Sequence, residues 1–459
     1  MTEAQARALY RRGEGPTIRC LLEQNRAIEQ LKRQVSGQQP HPSTPSGMLP
    51  VYAKPEVRRK GGKPGRKNGH PASRRAPPER IDRTVEHTLE HCPRCRNKLA
   101  DSCTIRSRYV EDIPPVQPRV TEHRIHRYWC SLCRRIVEPP FTDALPKCVL
   151  GLRTVVYSAW LHYGLGLTLD KIVELLNVSA SFKVSPGGLL RAWRNLAIAL
   201  CPAYDRLAAQ ARHSAVLHAD ETGWRVNGSS HWLWCFTSPT LVFFLIDRCR
   251  GSPVVHKVLG ESFDGVLVAD FYGAYNKIAA LSKQRCLVHL FRELAKVDLY
   301  DGTDGWKHFR ARLRRLLKDA FRLARERRSL SRKTLARRKQ RFLDRLDDLC
   351  VLRYPSRNAR RLAKRLQRYR DEIFTFLDHP DVAPDNNHAE RQVRPAVIIR
   401  KNSYGNRSHQ GAEVQAVLMS LFRTLHLRQH HPVDALTNMA AASLASGAPP
   451  TLPEIASHG

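Results

Sequence analysis

The sequence predicts an α/β protein of several domains, and three features lead to this fold class. The chain has 459 residues, 42% of them hydrophobic, which is enough for two to four domains with a buried core. Four β-rich segments follow one another between positions 213 and 273, with helical segments on both sides. Two cysteine pairs precede them, each spaced C-x-x-C. We therefore predict a mixed α/β domain preceded by smaller modules.

The charge of the chain indicates a polyanionic partner. Lys and Arg number 77 against 42 Asp and Glu, a net charge of +35, and such a surplus is typical of proteins that neutralise phosphates. Nucleic acid is the predicted partner; the alternative is a ribosome-like basic protein or one that binds anions non-specifically. No apolar run approaches the ~20 residues of a membrane span, and MTEAQARALYRRGEG has no apolar signal region. We predict a cytoplasmic protein in a reducing compartment.

Residues 1–50 are predicted to hold one helix and a linker. The segment TIRCLLEQNRAIEQLKRQV places Leu21, Ile28 and Val35 seven positions apart. This spacing is typical of a coiled-coil seam, but two heptads are short, and a single amphipathic helix fits equally well.

Residues 51–80 form a predicted flexible basic segment. RRKGGKPGRKNGHPASRR mixes cations with glycine and proline and cannot bury a core. Lys63, Arg66 and Lys67 are its candidate DNA contacts; a solvated linker is the alternative.

Residues 81–148 are predicted to form a zinc-binding module. Its four ligands come from HCPRC and YWCSLC, namely Cys92, Cys95, Cys130 and Cys133. Two such pairs complete a tetrahedral four-sulfur site whose closure organises a small domain. A disulfide is disfavoured in a reducing compartment, and a redox C-x-x-C normally occurs singly. We expect one structural Zn²⁺, with His91 or Cys103 as the substitute if one thiolate is not a ligand.

Residues 149–205 are predicted to be helical. LTLDKIVELLNV and SPGGLLRAWRNLAIAL read as two helices, the second opened by Ser185 and Pro186. The pair is similar to a helix-turn-helix, and a plain helical pair is an equal alternative because the connection is long.

Residues 206–420 contain the predicted sheet. AVLHADET, HWLWCFTS and LVFFLIDR read as strands in hairpin succession, and DGVLVADFYG follows a short helix. An arginine-rich helical insertion occupies about 290–380, helices resume near 386, and residues 421–459 form a helical tail.

Carboxylates mark the ends of two of these strands. Asp220 closes the first strand and Asp270 the fourth, and a helix packed across the sheet could bring Glu390 to the same point. Three clustered carboxylates repel one another unless a hard cation such as Mg²⁺ or Mn²⁺ neutralises them. Each aspartate alone is more simply explained as a turn residue, so these residues by themselves leave the question open.

The motifs resemble those of a known family. LHADETGWRVNG, LVADFYGAYN and PDNNHAERQVRPAVIIRKNSYGNRS look like the three catalytic blocks of the insertion-sequence-66 family of bacterial transposases. The cysteine pairs, GGKPGRKNGHP and the N-terminal helix match the same family in the same order.

The resemblance implies a ribonuclease-H-like catalytic domain with a helical insertion, preceded by a zinc-ribbon-like module and helical DNA-binding segments. It places a catalytic triad on Asp220, Asp270 and Glu390, which would hold two Mg²⁺ or Mn²⁺ ions. It further implies terminal inverted repeats and target DNA as partners, a homo-multimer, small accessory proteins of the same element, and a location at the bacterial nucleoid.

Several neighbours of the triad are candidates for supporting roles. Possible DNA-backbone contacts follow Glu390, namely Arg391, Arg394, Arg400 and Lys401. Asn387 could fix a carboxylate or contact a phosphate. Cys286 and His289 resemble a Cys-x-x-His pattern of several transposase families; the alternative is that Cys286 is a core residue and His289 a satisfied polar group. Glu221 should point to the sheet face opposite Asp220.

We therefore expect a DNA transposase in which metal-activated water cuts the element end and the freed 3′-hydroxyl attacks target DNA. Two alternatives remain: a non-catalytic zinc-containing DNA-binding protein, and a metal-dependent nuclease that stops at hydrolysis. ATP-driven chemistry is disfavoured, because the sequence has no G-x-x-x-x-G-K-[ST] loop.

Overall fold

The structure is a computed structural model that describes residues 10–11, 13–36, 77–113 and 116–456. Helix α1 (Glu14–Ser36) includes the predicted zipper segment, with side chains described only as far as residue 26. Lys63, Arg66 and Lys67 lie outside the described residues. The chain divides into a large unit (1–55, 124–173 and 184–459) and a small one (56–123 and 174–183).

The helical region predicted after the cysteine pairs is present. A hairpin of β1 (Tyr128–Cys130) and β2 (Arg135–Val137) precedes helices α2 (Leu152–Tyr163), α3 (Leu169–Ser179) and α4 (Pro186–Arg212). Helix α4 begins as predicted, because the Ser185 hydroxyl accepts a hydrogen bond from Gly188 N (3.2 Å) and proline fills the first helical position. It continues to Arg212, beyond the boundary expected near 205.

A five-stranded mixed sheet forms the centre of the large unit. Its strands are β3 (Val216–Val226), β4 (Ser229–Ser238), β5 (Leu241–Asp247), β6 (Ser262–Ala269) and β7 (Ala279–Arg285), in the order β5-β4-β3-β6-β7. The first three pair antiparallel, whereas β6 and β7 are parallel to β3. Helix α5 (Ser252–Leu259) makes the crossover to β6. The four predicted strands are confirmed, and β7 was not predicted.

The arginine-rich insertion is helical, as expected. It contains α6 (Leu287–Val297), α7 (Asp304–Glu326), α8 (Arg332–Val351) and α9 (Arg357–Arg368). These helices turn their apolar stripes toward one another and bury a core that includes Trp306, Phe309 and Phe374. The same core takes in Val266 and Val268 of β6. The insertion is therefore packed on the sheet, and most of its cations lie on exposed faces.

The chain ends in three helices, α10 (Asn387–Ser403), α11 (His409–Leu427) and α12 (Pro432–Ser446). Helix α11 covers the edge strand β5, where the backbone N–H groups of Val242 and Phe244 donate to the Thr424 and Ser420 hydroxyls (3.0 and 2.9 Å). Such cover protects an edge from pairing with other chains. Helix α11 also spans the boundary expected at 420. Within the described residues, no helix is both long and apolar enough to cross a bilayer.

Candidate active site

The two aspartates predicted as ligands lie side by side where two adjacent strands stop pairing. Asp270 directly follows β6, but Asp220 does not close its strand as predicted, because β3 continues to Val226 in its hairpin with β4. Strands β3 and β6 pair in parallel with His218 opposite Val268, and Asp220 and Asp270 each follow two residues later. The Asp220 carboxylate accepts a hydrogen bond from Glu221 N (3.0 Å), and the Asp270 carboxylate accepts one from Tyr272 N (2.8 Å). Both side chains are thus held beside the point where β3 and β6 diverge, by bonds from backbone N–H groups one or two residues further along the chain.

The electrostatic environment of Asp220 disfavours its ionised form. Burial raises the pKa of Asp220 well above its ordinary value, and the negative charges of Glu221 and Asp270 raise it further. The charge of Glu390 acts in the same direction. A carboxyl group surrounded by other carboxylates is a group that a cation would stabilise in its charged form.

Glu221 lies beside the aspartates but has its own partners. Its buried carboxylate accepts hydrogen bonds from Arg250 (2.9 Å) and from the Tyr275 hydroxyl (2.6 Å). The Arg250 guanidinium stacks on the rings of Trp232 and Tyr272 at 4.0 and 4.2 Å. Burial and the charge of Asp270 raise the pKa of Glu221. Arg250 and Tyr275 therefore account for this carboxylate, and sequence reasoning identified neither of them.

Glu390 lies in the first turn of α10 and is bound by an arginine. Arg292 of α6 donates two hydrogen bonds to its two oxygens, at 2.7 and 2.8 Å. Burial alone would raise the pKa of Glu390, but the bonds and charge of Arg292 outweigh it and hold that pKa below its ordinary value. The structure thus brings Glu390 within electrostatic range of Asp220, but its carboxylate is paired to Arg292, and the ligand atoms of Asp220, Asp270 and Glu390 do not all lie within 4.8 Å of one another.

The cysteine and histidine of the Cys-x-x-His pattern lie next to Glu390. Cys286, His289 and Glu390 form the one group of described residues whose three ligand atoms all lie within 4.8 Å of one another. Burial raises the pKa of the Cys286 thiol to about 12. His289 Nδ1 is buried, and it lies 3.8 Å from Glu390 Oε1, too far for a hydrogen bond. The pattern is therefore part of the Glu390 environment rather than of a separate core.

Asn386 fixes the start of α10 against the sheet. Its fully buried side chain donates to the Ala219 carbonyl (2.8 Å) and contacts His218 Nδ1 (3.1 Å), and its backbone N–H donates to the Cys286 sulfur (3.1 Å). The sequence favoured Asn387, whose backbone N–H instead donates to Asp385 (3.0 Å). The sequence showed two adjacent asparagines in this segment. Only their burial in the structure shows that Asn386, and not Asn387, holds the helix start against the sheet.

The predicted basic neighbours of Glu390 divide into two kinds. Arg391, Arg394 and Lys401 are exposed on α10. Arg400 is half-buried and donates to the Thr222 hydroxyl (2.9 Å) and to the Gly223 carbonyl. Because Arg400 ties α10 to β3, it is less available to a phosphate than the other three cations.

Each cysteine pair forms a tight turn suited to a metal. Cys92 O accepts from Arg96 N (2.8 Å) in the small unit, and Cys130 Sγ accepts from Cys133 N (3.4 Å) in the large one. In both pairs the residue after the second cysteine is left-handed, Arg96 at φ 62° and Arg134 at φ 49°.

Hydrogen bonds from backbone N–H groups also favour the thiolate forms of Cys92 and Cys130, which are the forms that bind metal. Hydrogen bonds from Cys95 and then Arg94 lower the pKa of Cys92, and hydrogen bonds from Cys133 lower that of Cys130. All four cysteines are free thiols. A thiolate-favouring turn with two sulfurs is the usual knuckle of a structural zinc site.

Comparison with known proteins gives two family matches. The model of the family described as "Transposase IS66 family" matches residues 147–414, which include both aspartates and Glu390. The model described as "zinc-finger binding domain of transposase IS66" matches residues 90–134, which include both cysteine pairs.

Two proteins of Sinorhizobium fredii (strain NBRC 101917 / NGR234) are also similar to the chain. The uncharacterized protein y4jD is 24% identical over 413 residues, covering 78% of this chain and 76% of its own length. The uncharacterized protein y4qI is 24% identical over 319 residues, covering 62% of this chain and 58% of its own length.

Proposed function

The chain belongs to the IS66 family of transposases, and from this premise we propose that it cuts and joins DNA at Asp220, Asp270 and Glu390. It would bind the terminal inverted repeats of its element, hydrolyse a phosphodiester bond at each end, and join the freed 3′-hydroxyl to target DNA. The observation that carries the proposal is the alignment of Asp220 and Asp270 on adjacent parallel strands, with the charge of Glu390 acting on Asp220.

The strand order supports a ribonuclease-H-like catalytic domain. Three antiparallel strands followed by two parallel ones, in the order β5-β4-β3-β6-β7, form a mixed sheet that is consistent with the domain implied by the family resemblance. The helical insertion between β7 and α10 separates Glu390 from the aspartates in sequence, and the Asn386 hydrogen bonds return it to β3.

The donor set fits hard divalent cations. Asp220 and Asp270 would hold Mg²⁺ or Mn²⁺, and Glu390 would complete the set on exchanging its arginine for metal. Two such ions, when bound, activate the attacking oxygen and stabilise the leaving oxygen of an in-line phosphoryl displacement. Asn386 and His388 position Glu390, since His388 Nε2 contacts the Ser238 carbonyl (2.8 Å) and anchors α10 to β4.

Arg292 competes with metal for Glu390, and its removal tests this. In Arg292→Gln the carboxylate loses a cationic partner worth roughly 0.2–1 kcal/mol for such a half-exposed pair. We expect the Kd for Mn²⁺ to fall by about 1.5- to 5-fold, measured from free Mn²⁺ by electron paramagnetic resonance. Arg314→Gln removes an exposed charge from α7 and should leave the Kd unchanged. Equal affinities in all three proteins would contradict the competition.

We propose that Cys92, Cys95, Cys130 and Cys133 hold one structural zinc ion. The zinc-finger family match over residues 90–134 and the two similar turns support this assignment. A site of this kind stabilises its module only while metal is bound.

Cys130→Ser tests the zinc assignment. The variant should lose most of the single zinc equivalent that we expect in the purified protein, because serine is a poor ligand for zinc. Elemental analysis by mass spectrometry gives the zinc content per chain. Cys249→Ser changes an exposed cysteine outside the matched range and should retain all the metal. Full zinc content in Cys130→Ser would exclude this sulfur as a ligand.

DNA binding would use the basic surface. The net charge of +35 and the exposed Arg391, Arg394 and Lys401 support contacts to the phosphate backbone near Glu390. Lys63, Arg66 and Lys67 remain proposed contacts of the flexible segment. A homo-multimer that holds both element ends, and accessory proteins of the same element, are expected on the family resemblance.

A joining assay tests the proposed function. Pre-cut DNA ending in the terminal repeat is mixed with a supercoiled target plasmid and Mg²⁺, and covalent joining of the 3′ end to the plasmid is measured on a gel. A transposase joins the two DNAs. A nuclease would only shorten or nick them, and a non-catalytic DNA-binding protein would bind the end with or without Mg²⁺ and yield no product.

A further inference from the structure

A groove of about 780 Å³ opens beside the loop that follows α10. Residues from the end of α2, the start of α3, the start of α4 and residues 402–411 line it. Three of the lining residues are arginines, Arg191, Arg194 and Arg407, and Asp170 is the one carboxylate among them. The groove therefore carries a positive charge, and it is separate from the carboxylates of the active site.

Tyr404 stands at the rim of this groove in an unusual conformation. It is 83% exposed, and its φ of 60° lies in the left-handed region, which large side chains rarely adopt. Tyr404 ends α10, with its backbone N–H donating to the Arg400 carbonyl (2.8 Å). Glycine or asparagine would fill this position with less strain, so an exposed tyrosine here has no folding explanation.

The loop that holds Tyr404 is fixed to the β3–β4 hairpin. Asn406 N donates to the Arg225 carbonyl (2.9 Å), and Asn227 N donates to the Asn406 carbonyl (2.9 Å). The indole N–H of Trp224 donates to Asn406 Oδ1 (2.7 Å). Gly405, at φ 123°, lies so close that a Cβ would be 2.3 Å from the Arg225 carbonyl oxygen. The tyrosine ring is therefore presented from a rigid base.

The arginines of the groove are available to an anion. No carboxylate of the residues that the structure describes lies within 4.0 Å of the exposed Arg191 or Arg407. Arg194 is oriented by Gln410, whose amide oxygen accepts hydrogen bonds from Arg194 Nε and Nη2 at 2.8 and 3.0 Å. Guanidinium groups beside an exposed aromatic ring are the combination that binds single-stranded nucleic acid.

We propose that this groove binds an unpaired nucleotide of the DNA, whose base stacks on Tyr404 while Arg191 and Arg407 contact its phosphates. This inference rests on the proposed function and adds a binding site to it. Glu390 lies fourteen residues before Tyr404 on the same helix. At about 1.5 Å per residue the two are roughly 21 Å apart, which is the rise of about six base pairs of duplex DNA at 3.4 Å per pair. The site would thus hold the DNA some distance from the cut.

Photocrosslinking tests the contact directly and requires no cleavage. The full chain is mixed with a short mixed-sequence single strand containing 5-iodo-2′-deoxyuridine, irradiated, and mapped by peptide mass spectrometry. The base is expected to crosslink at Tyr404. Crosslinks confined to other exposed aromatic residues, such as Tyr128 or Trp129, would overturn the proposal.

Two substitutions separate the ring from the backbone. Tyr404→Asn keeps a residue that tolerates the left-handed conformation but removes the ring; it should weaken single-strand binding by about 5- to 150-fold. Tyr404→Phe retains the aromatic face on which the base would stack, so its affinity for the single strand should stay within about twofold of the wild type. Arg191→Gln should lower the slope of affinity against salt by about one. Equal affinity of Tyr404→Asn and wild type would contradict stacking.

These results are independent of the joining assay. A wild-type protein that joins DNA but does not crosslink at Tyr404 retains the proposed function and loses this site. A protein that crosslinks there but never joins DNA retains the site and loses the transposase activity.

Discussion

Asp220→Asn is expected to slow strand cleavage strongly while leaving DNA binding almost unchanged. The substitution removes a proposed metal ligand but none of the surface cations that contact phosphates. Metal-ion catalysis supplies several kcal/mol of transition-state stabilisation, so at about 1.4 kcal/mol per factor of ten the rate should fall by roughly a hundredfold to a thousandfold. Cleavage of end DNA on a sequencing gel and gel-shift affinity for the same DNA measure the two effects.

A neighbouring aspartate provides the matched control. Asp264 lies on β6 with an exposed side chain, so Asp264→Asn makes the same chemical change on an adjacent strand, away from the site. Its cleavage rate should equal that of the wild type. Normal nicking by Asp220→Asn would remove Asp220 from the catalytic set.

Asp220→Asn should be more stable than the wild type in the absence of Mg²⁺ and Mn²⁺. Because burial and neighbouring carboxylates raise the pKa of Asp220, its contribution to stability is fully present below the ordinary pKa of aspartate and is lost as the pH rises through the raised value. Asparagine has no proton to lose, so it never places a negative charge among the neighbouring carboxylates. A higher thermal midpoint of Asp220→Asn at neutral pH, disappearing at acidic pH, is the expected signature, and a lower midpoint at neutral pH would contradict it.

The sequence predicted those parts of the fold that depend on apolar patterning. The four apolar strands and the amphipathic insertion were predicted because their buried side chains are hydrophobic. Strand β7, AALSKQR, was missed because its two best-buried residues are Gln284 and Arg285. A strand that buries polar side chains has no apolar period to recognise, and only its hydrogen-bond partners, which are distant in sequence, explain it.

The partners of the site were harder to predict than the site itself. The aspartates that follow the segments VLHA and LVA, and the glutamate of the DNNHAE motif, are local features of the sequence. The Arg292–Glu390 pair spans 98 residues and the Asn386–Ala219 bond spans 167, and no spacing rule links such positions. Which of two adjacent asparagines is buried depends on the helix start, a boundary that patterning places only to within a few residues.

Arg285→Met should destabilise the protein more than any surface substitution and should also impair catalysis. The buried Arg285 guanidinium donates to Glu372 (2.5 Å), to the Asp270 carbonyl (2.8 Å) and to Asn276 (2.8 Å), and it lies over the Tyr369 ring at 4.5 Å. Removing one partner of a buried pair leaves the other groups unsatisfied and costs about 3 kcal/mol or more. For a domain of this size the thermal midpoint should fall by roughly 6 to 12 °C.

The comparison that isolates this mechanism uses two further proteins. Arg248→Met removes an exposed arginine and should change stability by less than about 0.5 kcal/mol. In the double variant Arg285→Met with Glu372→Gln, residue 372 is an uncharged amide. Part of the lost stability should therefore be recovered. Because Arg285 holds the Asp270 carbonyl, cleavage at saturating Mn²⁺ should remain reduced in the double variant even where folding is restored. Full recovery of cleavage together with stability would show that Arg285 supports the sheet without positioning Asp270.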